Sequence, residues 1–235
     1  MKKQILITGG SGGIGGAVAQ WFLDHGWHVH LLLRSFKNPD VQEMMKHENC
    51  SVYLSDPENK EQTLATIQSI KNNGNTIDYV FHAAGTFLWD DGFPAKEKRP
   101  TLEVREILFR ANMKTKESVL NAIEMVYANF LSSIEQGFVG SHAANFLPDG
   151  PERTGKYKEE EYVGVMSIVQ RTAKNTLASG RYKGVYLFEP GLVNTAMARE
   201  AFPEERIGKV DWSTVPTPAE YAEYIFPESF FTARQ

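Results

Sequence analysis

The chain opens with a strand-to-helix turn built almost wholly of glycine. Ile5-Leu6-Ile7-Thr8 is a short apolar, β-prone run, and Gly9-Gly10-Ser11-Gly12-Gly13-Ile14-Gly15-Gly16 follows it directly. Ala17-Val18-Ala19-Gln20-Trp21-Phe22-Leu23 then has helical spacing. A strand that turns through glycines into a helix presents backbone N–H groups and a positive helix end to an anion. A side chain in such a loop would block the tight turn, the approach of the anion, or the close contact of helix and strand. A second apolar run ends at Arg34, about 20 residues on, where a βαβ unit places its next ligand-reading position.

The bulk properties narrow the class. A chain of 235 residues is enough for one large α/β domain and short for two. Its 42% hydrophobic and 23% charged content are ordinary globular values and imply a sizeable core. A net charge of −4 argues against nonspecific nucleic-acid binding, which needs a basic surface. Cys50 is the sole cysteine, so no internal disulfide can form, which fits a reducing compartment. Met1-Lys2-Lys3 has the charge of a signal-peptide start, but Thr8-Gly9-Gly10 breaks the apolar run too early for a signal or a membrane span. The expectation is a soluble, cytoplasmic protein with no membrane and no nucleic-acid partner.

Strand-like and helix-like segments alternate almost to the end. Strands are expected at Gln4–Thr8, Trp27–Leu33, Ser51–Leu54, Ile77–His82, Gly137–Ser141 and Gly184–Phe188. Amphipathic stretches lie at Gly15–His25, Pro39–His47, Glu58–Asn72, Leu102–Phe130 and Glu160–Ala178, with Asp56-Pro57-Glu58 as a helix start. This alternation predicts a Rossmann-like doubly wound parallel sheet of six or seven strands with helices on both faces. Residues 1–235 read as a single dinucleotide-binding domain, with the substrate site built from its C-terminal segments. Two stretches look irregular, Trp89–Pro100 and Asn145–Lys158, and loops of that size are binding loops or surface insertions.

From residue 4 to about residue 200 the chain resembles the short-chain dehydrogenase/reductase family. Thr8-Gly9-Gly10-Ser11-Gly12-Gly13-Ile14-Gly15 matches the family's TGxxxGIG cofactor loop. Asp56 stands where the family places an Asp against the adenine. His82-Ala83-Ala84-Gly85 looks like a variant of its NNAG element, Asn112 falls at its active-site Asn, and Ser141 at its catalytic Ser. Pro190-Gly191-Leu192-Val193-Asn194-Thr195-Ala196-Met197 is similar to the PGxVxTxM segment that holds the nicotinamide end. Each of these segments follows an expected strand, so all should converge on the crevice where the strand order reverses.

The cofactor choice follows from the end of the second strand. An NAD site places a carboxylate there for the ribose hydroxyls. This chain reads Leu31-Leu32-Leu33-Arg34-Ser35, with no acid before Asp40. Arg34 and Ser35 suit a 2′-phosphate, so NADP is preferred over NAD.

The resemblance implies a Tyr as proton donor and a Lys at the fourth position after it, and here the chain departs. A free phenol titrates near about 10, and bringing it to neutrality takes about 4 kcal/mol. A nearby cation is the usual source. Tyr162 fits the helix pattern best, but Met166 stands in the Lys position. Tyr157 is nearer the usual spacing, but there the position is Glu161, whose charge raises a phenol pKa. Lys156, Lys158 and Lys174 lie nearby without the required spacing, and His142 is a second candidate for proton transfer. Phe87, Trp89 and Phe93 either line a substrate pocket or pack on a helix. The leading expectation is an NADP-dependent oxidoreductase on a small carbonyl or alcohol, using Asn112, Ser141 and Tyr162. Loss of the Lys favours the alternative, an NADP-binding sensor or scaffold; a lyase or isomerase on the same scaffold is a third reading. Ser229-Phe230-Phe231-Thr232 is expected to start a last strand, cut short at Gln235. The family's assemblies imply a homodimer or homotetramer.

Overall fold

The computed structural model describes residues 2–56, 58–85, 121–122, 125–126, 134–139, 184–201 and 210–233. Among these, six strands form one sheet: β1 (Gln4–Thr8), β2 (His28–Leu33), β3 (Cys50–Leu54), β4 (Tyr79–His82), β5 (Glu135–Val139) and β6 (Val185–Phe188). The helices are α1 (Gly13–Asp24), α2 (Pro39–Met44), α3 (Lys60–Asn72), α4 (Ala196–Ala201), α5 (Pro218–Ile225) and α6 (Glu228–Thr232). The order is β3-β2-β1-β4-β5-β6, and every pairing is parallel. Strand order reverses between β1 and β4, so the carboxyl ends of those two strands frame the crevice. No helix of the described residues is long and apolar enough to cross a membrane.

Parallel strands covered on both faces must be apolar at successive positions, and Ile5-Leu6-Ile7 is the sequence form of that demand. Ile5, Ile7, Val29, Leu31, Tyr79 and Phe81 point to one face, where α1 packs Val18, Ala19, Phe22 and Leu23 on them. Leu6, Leu32 and Val80 point to the other, against Ile67 and Ile70 of α3 and Val126.

Two expected boundaries are corrected. The helix expected to start at Asp56-Pro57-Glu58 starts at Lys60. The Asp56 carboxylate accepts the Glu58 N–H at 2.9 Å, an Asx turn, and the Asn59 side chain caps the helix by accepting from Gln62 N at 2.9 Å. The Ser229–Thr232 stretch, expected as a strand, is the helix α6. Phe230 and Phe231 both lie against Phe22, with ring centroids 5.8 and 5.1 Å away. Neighbouring side chains on a strand point to opposite faces, so only a helical turn lets both reach one ring. The sheet therefore has six strands among the described residues, and no seventh from this segment.

Phe226, 1% exposed, sits between the end pieces. It meets Phe22 edge to face at 5.0 Å and Tyr79 and Phe81 at 5.5 Å each, while its carbonyl accepts from Trp21 Nε1 at 2.8 Å. Phe226→Ala is expected to cost about 3–5 kcal/mol, read as a lower midpoint in urea unfolding. A loss under about 1 kcal/mol would show that α5 and α6 do not depend on this ring.

The α3 face of the sheet also buries polar side chains. His30 Nε2 lies 2.7 Å from Gln4 Oε1, and Nδ1 lies 3.2 Å from the Tyr53 hydroxyl. His82 Nε2 lies 2.9 Å from Gln136 Oε1. Burial holds both imidazoles down to about 4; the neighbouring His28 pushes His30 the same way, whereas the Gln136 bond opposes the shift at His82. Since both folded values lie below the ordinary 6.5, the unfolded chain takes up protons first on acidification. Stability is expected to be full above that value and to fall as pH drops toward 4, by up to roughly 3 kcal/mol for each ring. Denaturant midpoints measured from neutral pH down to about 4.5 check this. His30→Gln and His82→Gln should each flatten the profile, and a profile unaltered by either would contradict the assignment.

Candidate dinucleotide site

The site starts from the turn between β1 and α1. Gly9 has φ +75°, a left-handed conformation that favours glycine. A Cβ there would lie 2.5 Å from Ala84 N and 2.6 Å from the carbonyl carbon of Ala83. A Cβ on Gly15 would lie 2.4 Å from Gly9 O and 3.1 Å from the Ala83 Cβ. The glycine loop and the β4 turn are thus in backbone contact. Ala83 N donates to Thr8 O at 3.0 Å, and Ala84 N to Thr8 Oγ1 at 3.4 Å, which extends the β1–β4 ladder into the turn.

Gly12 is the N-cap of α1 and offers no side chain. Its N–H turns inward to Gly9 O at 3.0 Å, and the first intrahelical bond runs from Gly16 N to Gly12 O at 2.8 Å. The N–H groups of Gly13, Ile14 and Gly15 precede that bond and belong to the open end of the helix. Ser11, Gly12 and Gly13 are exposed, Ile14 is half-buried and Gly15 is buried. A helix end bare of side chains and reachable from outside fits a phosphate.

The end of β2 lies beside this loop. Arg34 and Ser35 are both exposed. Asn38 bridges the glycine loop and α2, donating from Nδ2 to Ser11 O at 2.9 Å while its Oδ1 accepts from Asp40 N at 2.8 Å and caps α2. Ser35 Oγ accepts from Lys37 N at 3.2 Å. The bridging role of Asn38 was missed in the sequence, where Asn38-Pro39 signals only a helix start. Asp56 is exposed at the end of the β3 turn, with one carboxylate oxygen on the Glu58 N–H.

From the other side comes the segment after β6. Val193 is buried, Pro190 is buried and Gly191 is exposed. Thr195 packs on the start of α1, its Cγ2 only 2.6 Å from where a Gly13 Cβ would be. Thus Gly9, Ser11, Gly12, Gly13, Ile14, Gly15, Ala83, Ala84, Val193 and Thr195 belong to one end of the sheet. His82, 1% exposed and held neutral by burial, is no proton donor there; its Nδ1 has no hydrogen-bond partner among the described residues. Asn112, Ser141, Tyr162, Tyr157, Met166, His142, Lys156, Lys158, Lys174, Phe87, Trp89 and Phe93 lie outside the described residues, as do both irregular loops and Glu160–Ala178.

Residues 4–102 match the KR domain family. A stretch of 50 residues is 42% identical to compactin diketide synthase mlcB of Penicillium citrinum; it covers 21% of this chain and 2% of that much longer protein. Among solved structures, ElxO with NADP bound is 23% identical with a TM-score of 0.68, covering 96% of this chain and 90% of that one. A short-chain dehydrogenase from Burkholderia cenocepacia in complex with NADP is 17% identical with a TM-score of 0.68, covering 100% of this chain and 85% of the other. The KR match lies within residues 4–102, and the six-stranded parallel fold is the one the chain shares with these solved structures.

Proposed function

We propose that the chain is an NADP-dependent oxidoreductase acting on a small carbonyl or alcohol. The observation that carries this reading is the bare, exposed N-terminus of α1 beside an exposed Arg34–Ser35 pair, with no acid before Asp40. Two structural neighbours with NADP bound support the same choice of cofactor. When bound, the dinucleotide supplies or accepts the hydride. The N–H groups of Gly13 and Ile14 hold the pyrophosphate. The Arg34 guanidinium and Ser35 hydroxyl hold the 2′-phosphate through charge-assisted bonds. Asp56 meets the adenine, and Ala83–Gly85 with Pro190, Gly191, Val193 and Thr195 flank the ribose and nicotinamide.

The chemistry is assigned to residues outside the described ones, on the family resemblance. Ser141 polarises the carbonyl, Tyr162 exchanges a proton at its phenolic oxygen, and Asn112 holds a water. Met166 stands where the resemblance implies the Lys that brings the Tyr162 phenol toward neutrality. That substitution favours a second reading, an NADP-binding sensor or scaffold with impaired catalysis. Either reading takes residues 1–235 as one cytoplasmic domain, in a homodimer or homotetramer.

Fluorescence titration tests the cofactor assignment. The native chain should bind NADPH more tightly than NADH, and Arg34→Glu should weaken NADPH by at least about tenfold while sparing NADH. Equal binding of both nucleotides by Arg34→Glu and the native chain would remove Arg34 from the site. A panel of carbonyls then separates enzyme from sensor. Tyr162→Phe should cut turnover by about a hundredfold or more. Tight NADPH binding without turnover on any carbonyl selects the sensor, and turnover indifferent to Tyr162→Phe removes that residue from the mechanism.

A further inference from the structure

Asn194 is tied on three sides. Its N–H donates to Pro216 O at 2.8 Å, and its Nδ2 donates to Trp212 O at 3.2 Å. Its Oδ1 accepts from Arg199 Nε at 2.7 Å. The Arg199 guanidinium in turn lies over the Trp212 ring, 4.8 Å from its centroid. Arg199 is exposed and Trp212 half-buried. A cation–π contact and a charge-assisted hydrogen bond thus share one guanidinium, whose planar fork can serve both.

What this cluster holds is the residue next to Asn194. Thr195 caps α4, accepting from Ala198 N at 3.1 Å, and its carbonyl accepts from Arg199 N at 3.0 Å. Its methyl group covers Gly13 at the N-terminus of α1, beside Pro218 at the start of α5. The position of Thr195 on the proposed phosphate end is therefore set by a bridge from Asn194 and Arg199 to the 210–217 segment.

We propose that Asn194, Arg199 and Trp212 form a latch that holds Thr195 over the start of α1 and so sets how long a bound dinucleotide stays. They are positioning residues: they act through Thr195. The proposal rests on the dinucleotide reading above. Without the latch, Thr195 leaves Gly13 more readily, and the nucleotide leaves with it.

The experiment pairs a nucleotide readout with one that needs no nucleotide. NADPH dissociation is followed by stopped-flow fluorescence in native protein, Arg199→Ala, Trp212→Ala, the double variant and Trp212→Phe. Each alanine variant should dissociate about three- to tenfold faster. The double variant should be little worse than Arg199→Ala alone, since that substitution already removes the cation–π contact along with the bond to Asn194. Trp212→Phe keeps an aromatic face and should recover most of the native rate. In nucleotide-free protein, the amides of Asn194 and Ala198 should exchange hydrogen faster in Arg199→Ala, with the urea midpoint unchanged. Native binding of NADPH with unchanged off-rates, or unchanged exchange at Asn194 and Ala198, overturns the latch alone. Absence of NADPH binding by the native protein overturns the dinucleotide reading and the latch together.

Discussion

Gly9, Gly15 and the Ala83–Ala84 turn meet backbone to backbone, with no space for a Cβ between them. That contact sets the distance between β1, β4 and α1, and most of the molecule is arranged around it. If α1 stood further off, its first N–H groups would no longer sit above the crevice where strand order reverses. Phe22, more than a turn further along α1, would also withdraw from Phe226, Phe230 and Phe231. The glycines therefore serve two ends at once. They bare the helix N-terminus for an anion, and they let the helix approach closely enough to bury its apolar side.

The parts legible in the sequence were those governed by local chemistry. β1 was read at its observed limits because apolar residues stand at successive positions between a lysine pair and the glycines. The glycine loop was likewise visible, and it lies at the expected strand-to-helix turn between β1 and α1. What escaped was decided by contacts distant in sequence or by a competing local bond. Phe230-Phe231 is apolar enough for a strand, but both rings lie against Phe22 and Trp27, which a helical turn allows. Pro57 suggested an early helix start, whereas the Asp56 carboxylate had a competing bond to the Glu58 N–H. Asn38 read as a cap alone because its bond to Ser11 O spans a loop whose geometry no periodicity reports.

Polar residues inside the α3 face follow the same logic of shared constraint. Gln4 and His30 satisfy each other across β1 and β2, and His82 and Gln136 do so across β4 and β5. In the second pair the ring must keep its proton on Nε2 to donate to the Gln136 carbonyl, which leaves Nδ1 as a bare acceptor. A buried acceptor without a donor carries a cost of about 1–3 kcal/mol. An apolar residue at position 82 would avoid that cost but remove one bond from the Gln136 side chain. The bond joins two strands close to the Ala83–Gly85 turn and helps hold that turn against the glycine loop.

The C-terminal third of the chain grips α1 at both ends. Thr195 and Pro218 cover its start at Gly13. At its close the His25 ring stacks on Phe231 at 3.9 Å, its Nε2 lies 3.0 Å from Glu228 Oε1, and Trp21 donates to the Phe226 carbonyl. The first grip is polar and exposed at its outer edge; the second is aromatic and buried. Exposed polar contacts open at lower free energy than buried apolar ones. The two ends of α1 therefore differ in what holds them: Phe22 is buried among aromatic rings, whereas Gly13 is exposed. The asymmetry comes from packing Phe226 and Phe231 against Phe22 in the core while the Asn194–Arg199–Trp212 bridge stands at the rim.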